Sequence, residues 1–86
     1  MKHKWTKEDD LKVLYIYLYG YPKSYPTAED VANLIGVSSS SLKMRIANFR
    51  YLDGKGGLSN YADLSKKVYD EYRSIPKEKL KELAGF

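Results

Sequence analysis

The stretch VANLIGVSSSSLKMRIANFR, residues 31–50, sets four consecutive serines between two apolar-patterned segments. By composition Ser38, Ser39, Ser40 and Ser41 resemble a flexible linker. By position they suit the turn and first helical turn of a helix-turn-helix, and their flanks decide for the second reading. Upstream, Val31, Ala32, Leu34 and Ile35 form the apolar stripe of a short helix, with Thr27, Glu29 and Asp30 supplying its cap and acidic first turn. Gly36 stops that helix, because glycine takes a left-handed exit at little steric cost. Downstream, Leu42, Ile46 and Phe49 recur at helical spacing on the buried side of a helix running to about Tyr51. Ser38 is its expected N-cap, a hydroxyl accepting from an otherwise unpaired backbone amide.

Working outward, Thr6 precedes Glu8, Asp9 and Asp10, again a capped helix start in which acidic residues meet the positive end of the helix. Leu11, Leu14, Tyr15 and Leu18 give this first helix an apolar face, and Gly20 ends it. The alternation of Tyr15, Tyr17 and Tyr19 also permits a strand in place of the helix's second half. Tyr21 to Pro26 is a loop by its two prolines. Beyond Asp53, a glycine-rich turn at 53–60 leads to a fourth helix from about Tyr61 to Arg73, with Leu64, Val68 and Tyr72 inward. Pro76 opens a last helix carrying Leu80 and Leu83. The expected fold is all-α: one domain with a basic arm at 1–5, a trihelical helix-turn-helix core at 6–52, and one or two C-terminal helices within 61–86.

The chain has 86 residues, 43% hydrophobic and 14% aromatic, enough for one modest core. It has no cysteine, so disulfides and thiolate metal sites are excluded. No apolar run reaches the roughly 18 residues of a membrane span. The basic start leads into Trp5 and acidic residues rather than an apolar signal core, so the expected location is cytoplasmic. A net charge of +4 leans towards a polyanionic partner.

On a helical wheel with Leu42, Ile46 and Phe49 inward, Ser40, Ser41, Met44, Ala47, Asn48 and Tyr51 point out, flanked by Lys43, Arg45 and Arg50. That face suits the major groove of duplex DNA. Ser38 to Ser41 lie at a helix N-terminus, where hydroxyls and amides bond phosphates. Asn48 can read adenine, and Met44 can touch a thymine methyl. Arg45, Arg50, Lys55, Lys2 and Lys4 are the expected phosphate contacts. The common helix-turn-helix pattern has an apolar residue where Arg45 stands, and Ile46 is expected to take that role.

Two resemblances arise at these residues. Lys4-Trp5-Thr6-Lys7-Glu8-Asp9-Asp10 ahead of a helix resembles the opening of Myb-like trihelical repeats, which carry more tryptophans than the single Trp5. More of the chain resembles the helical N-terminal region of bacterial HNH-type restriction endonucleases: Val31-Ala32, Leu34-Ile35-Gly36, Ser38, Ser41-Leu42, Met44, Ala47-Asn48-Phe49, Leu52-Asp53, Lys55 to Asn60, and Val68-Tyr69 with Tyr72. That resemblance implies DNA contact through this region, ahead of a nuclease domain.

The nuclease itself needs histidines and a metal cluster to activate water. This chain has one histidine, His3, read as an incidental terminal residue. The expectation is a non-catalytic module without metal or cofactor, in the setting of a small regulator or a phage or mobile-element accessory protein. Lys55-Gly56-Gly57 lacks the spacing of a P-loop. The competing expectation is a protein-interaction module, an inhibitor or adaptor of a nucleic-acid enzyme, docking through Tyr17, Tyr21 and Tyr25. Oligomeric state is not legible, since no heptad seam is present.

Overall fold

The computed structural model describes residues 3–56 and 60–86, and every regular element among them is helical. These are α1 (Lys7–Tyr19), α2 (Ala28–Ile35), α3 (Ser39–Leu52), α4 (Asp63–Tyr72) and α5 (Lys77–Ala84). Lys2, Gly57, Leu58 and Ser59, part of the expected arm and glycine-rich turn, lie outside the described residues.

The N-terminal caps form as their residues dictate. The Thr6 hydroxyl accepts from the Asp9 amide at 3.1 Å while Asp9 accepts from the Thr6 amide at 3.1 Å. Thr27 and Asp30 repeat the box at α2. Tyr15, Tyr17 and Tyr19 lie within α1, so the strand alternative falls. Gly36 adopts φ 96°, ψ 34°, and its amide returns to the Ala32 carbonyl at 2.8 Å. Ser38 then caps α3, its Oγ accepting from the Ser41 amide at 3.1 Å. The serine run is a turn and a helix start.

α1 departs from the one-faced helix expected. Asp10 to Ile16 are all buried, a run nearly two turns long that closes the whole circumference. The cause is tertiary: α3 and α4 pack on α1, and α5 packs along it as well. Phe49, Leu14, Leu42 and Leu80 are fully buried together. At about 1.5–3 kcal/mol for each such side chain, this core is the main favourable term. Ile46 and Leu18 are only half-buried against it.

α2 packs on α3, burying Val31, Ala32 and Ile35 but leaving Leu34 42% exposed. α4 begins at Asp63 and buries Ser65, Val68 and Tyr69, with Leu64 and Tyr72 half-buried. α5 buries Leu80 and Ala84 and leaves Leu83 outside the core. Among the described residues no helix is long and apolar enough to cross a membrane.

Candidate nucleic-acid interface

Three expected contact residues turn out to be structural. Arg45 points inward: its Nε donates to Asp10 Oδ1 at 2.7 Å and its Nη2 to Oδ2 at 2.6 Å. Ser65 of α4 adds a hydroxyl to Asp10 at 3.3 Å, and the Trp5 ring covers the guanidinium at 4.6 Å. Asp10 is fully buried, so it needs this cation rather than a capping role. The reading of Arg45 as a phosphate contact is therefore corrected. The signal was present in the sequence: an arginine in a normally apolar slot, and a third acidic residue after Glu8 and Asp9.

Asn48 is corrected in the same way. It is buried, donates from Nδ2 to the Met44 carbonyl at 3.0 Å, and accepts from the Ala62 amide at 2.7 Å. It thus caps the start of α4, whose own N-cap Ala62 has no side-chain oxygen. A polar residue on a helix's apparent outer face gives no hint of a partner fourteen residues away in the chain.

Tyr17 was expected at a partner surface, yet its hydroxyl donates to Asp53 at 2.6 Å. Tyr69 donates to the other Asp53 oxygen at 2.6 Å. Burial, together with the Asp53 carboxylate, pushes the Tyr17 phenol up to about 12. The two phenols, Tyr17 first, hold Asp53 below the usual carboxylate range. His3 is not a loose terminal residue either. Its Nε2 lies 2.9 Å from Asp9, and its ring meets Trp5 edge-on at 5.2 Å. Tyr25 is half-buried 5.9 Å from the Phe86 ring, whereas Tyr21 stays 38% exposed.

What remains outward on α3 is a continuous face. Ser40, Lys43, Met44, Arg50 and Tyr51 are exposed, with half-buried Ala47 at the centre. Met44 is 58% exposed, the largest value among the exposed large apolar side chains of the described residues. Lys43, Ile46, Ala47 and Arg50 line a groove of about 320 Å³ along this face. Tyr51 stacks on Tyr61, 5.8 Å between centroids and 23° between planes, and closes the face at its C-terminal end. Ser38 and Ser41 bond each other at 3.1 Å at the opposite end, with Ser39 half-buried beside them.

The face is free of negative charge along its own helix. No aspartate or glutamate occurs between Asp30 and Asp53. Lys55 is exposed just past α3, its amide bonded to the Arg50 carbonyl at 3.0 Å. Exposed Lys4 adjoins Trp5, which lies on Arg45 at the middle of α3. Among the described residues no three His, Asp or Glu side chains gather as a metal site would need. No protein family, curated protein or solved structure matches the chain.

Proposed function

We propose that the chain is a non-catalytic duplex DNA-binding module whose α3 enters the major groove. The observation that carries this reading is the outward face of α3: a helix-turn-helix second helix with exposed Lys43, Met44 and Arg50, a small Ala47 between them, and no acidic residue along its length. Cations at the edges of a helix and small or apolar residues at its centre suit phosphates beside base edges. Lys43, Arg50, Lys55 and Lys4 supply the phosphate contacts. Ser40, Met44 and Ala47 face the bases, Met44 and Ala47 being suited to thymine methyls. Ser38 to Ser41 bring helix N-terminal amides to a phosphate. A regulator or a phage or mobile-element accessory role fits such a module.

A salt titration of duplex binding tests it. For a Lys43→Ala/Arg50→Ala variant, the log–log salt slope should fall by about 1.8, near 0.9 per lost phosphate contact. Binding equal to the parent's at every salt concentration refutes the reading. Protein docking through the three tyrosines is weaker, because Tyr17 and Tyr25 are engaged internally.

A further inference from the structure

On the far side of α1 from α3 lies a cleft of about 380 Å³. The two faces are set by helical geometry. Asp10 reaches α3 and Tyr17 reaches Asp53 at its C-terminal cap, whereas Lys12 and Tyr15 approach Phe86 and Tyr19 meets Lys77 of α5. At 100° per residue, Tyr19 lies about 180° round the helix from Asp10. The cleft is therefore separate from the outward face of α3.

The lining has a narrow chemistry. Its apolar surface is ring: Tyr15, Tyr19, Tyr21 and Phe86, with Pro22 as the other non-polar residue and no Leu, Ile, Val or Met. Tyr15 is buried and braced by Tyr19 at 5.4 Å and Phe86 at 5.5 Å, which gives the cleft a firm aromatic floor. Tyr19 and Tyr21 are 43% and 38% exposed at its rim. Lys23, Lys77 and Lys81 line it against a single acid, Glu78. Lys77 Nζ lies over the Tyr19 ring, 5.6 Å from its centre, so a cation already covers one face of Tyr19, and Tyr21 is the other exposed ring at the rim.

Ring faces ask for a flat partner, and three lysines ask for an anionic one. Aromatic-lined grooves also take proline-rich peptides, so the discriminating feature is the charge, three lysines against one glutamate. The volume falls within the range of small-molecule sites. We infer that the cleft binds an unpaired nucleotide, its base on the exposed Tyr21 ring and its phosphate among Lys23, Lys77 and Lys81. The nucleotide belongs to a single strand or to a free mononucleotide, since both present the same base and phosphate. A paired base inside a duplex cannot enter, so the site adds to the duplex reading of α3 and does not rest on it.

NMR amide shifts of the full chain, titrated in parallel with short oligo(dT), thymidine monophosphate, a duplex and an acidic tyrosine-bearing peptide, test the inference. Oligo(dT) should shift residues 19–24 and 77–81 and leave 40–50 in place. Tyr21→Ala, at an exposed loop position, should weaken oligo(dT) by about tenfold, and Lys77→Gln/Lys81→Gln should weaken it further, with an unchanged fold in the free spectra. Duplex binding through α3 should be the same in all three proteins. Equal shifts by the monophosphate would support the site with a mononucleotide as its source. Shifts by the peptide alone, shifts by oligo(dT) confined to α3, or no shift at 19–24 and 77–81 would each overturn it.

Discussion

Asp10 of α1 and Arg45 of α3 form a two-pronged ion pair at 2.7 and 2.6 Å, with the carboxylate wholly removed from solvent. Trp5 roofs the arginine, and Ser65 ties α4 to the same oxygen that Nη2 meets. One polar junction therefore joins three helices and the N-terminal arm. Removing either charge strands the other. Arg45→Ala or Asp10→Ala should cost about 3–5 kcal/mol in urea unfolding, a large share of the 5–15 kcal/mol typical of a domain. Arg45→Lys should rescue little, because an ammonium cannot span both oxygens. Replacing both residues by well-packed apolar ones should recover most of the loss. If Arg45→Ala keeps parental stability and loses only DNA binding, the structural role is wrong.

Asn48 ties the end of α3 to the start of α4 through its bond from the Ala62 amide. Asn48→Ala leaves the Ala62 amide without its partner, while the Met44 carbonyl keeps the backbone amide of residue 48 within α3, and should destabilise by about 1–3 kcal/mol. Amide exchange should quicken first at Ala62 and the start of α4. Unchanged exchange there with weakened DNA binding would return Asn48 to the interface.

Stability should respond to pH through the Tyr17–Asp53–Tyr69 cluster. Asp53 has a depressed folded-state pKa, so its contribution is present above about pH 4 and is lost as pH falls through the folded value. Tyr17 is raised to about 12, so its contribution is complete below about pH 10 and is lost as pH climbs towards 12. Tyr69 is raised by the same burial and the same carboxylate, and acts in the same direction. Tyr17→Phe should lower stability by about 1–2 kcal/mol at neutral pH and flatten the alkaline fall. Denaturant midpoints measured from acid to alkaline pH check both limbs, and identical alkaline limbs in the two proteins would contradict the cluster.

The serines should divide by role. Ser38→Ala removes the cap of α3 and should cost about 1 kcal/mol. Ser40→Ala, on the exposed first turn, should stay within about 0.5 kcal/mol of the parent in stability and weaken duplex binding modestly. Thermal unfolding paired with a binding isotherm separates the two effects, and the reverse assignment would show α3 starting elsewhere.

The helices and their ends were legible because capping and hydrophobic period are local. Thr6 with Asp9, Thr27 with Asp30, Gly36 and Ser38 each act within four residues of chain, and all four perform as their types require. The inward set was only partly legible. Leu42 and Phe49 are buried as their spacing implies, but Arg45 and Asn48 also turn in. Their partners, Asp10 and the Ala62 amide, lie on other helices that no periodicity brings to them.

The sequence by itself determined an all-helical chain with a helix-turn-helix whose α3 carries no acidic residue, since these follow from neighbours along the chain. Only the tertiary structure decided which polar side chains face water. Enclosing α1 on all sides buried Asp10, and a buried carboxylate draws in the nearest available cation. That long-range electrostatic demand took Arg45 from the outward face of α3 and left Lys43, Met44 and Arg50 on it.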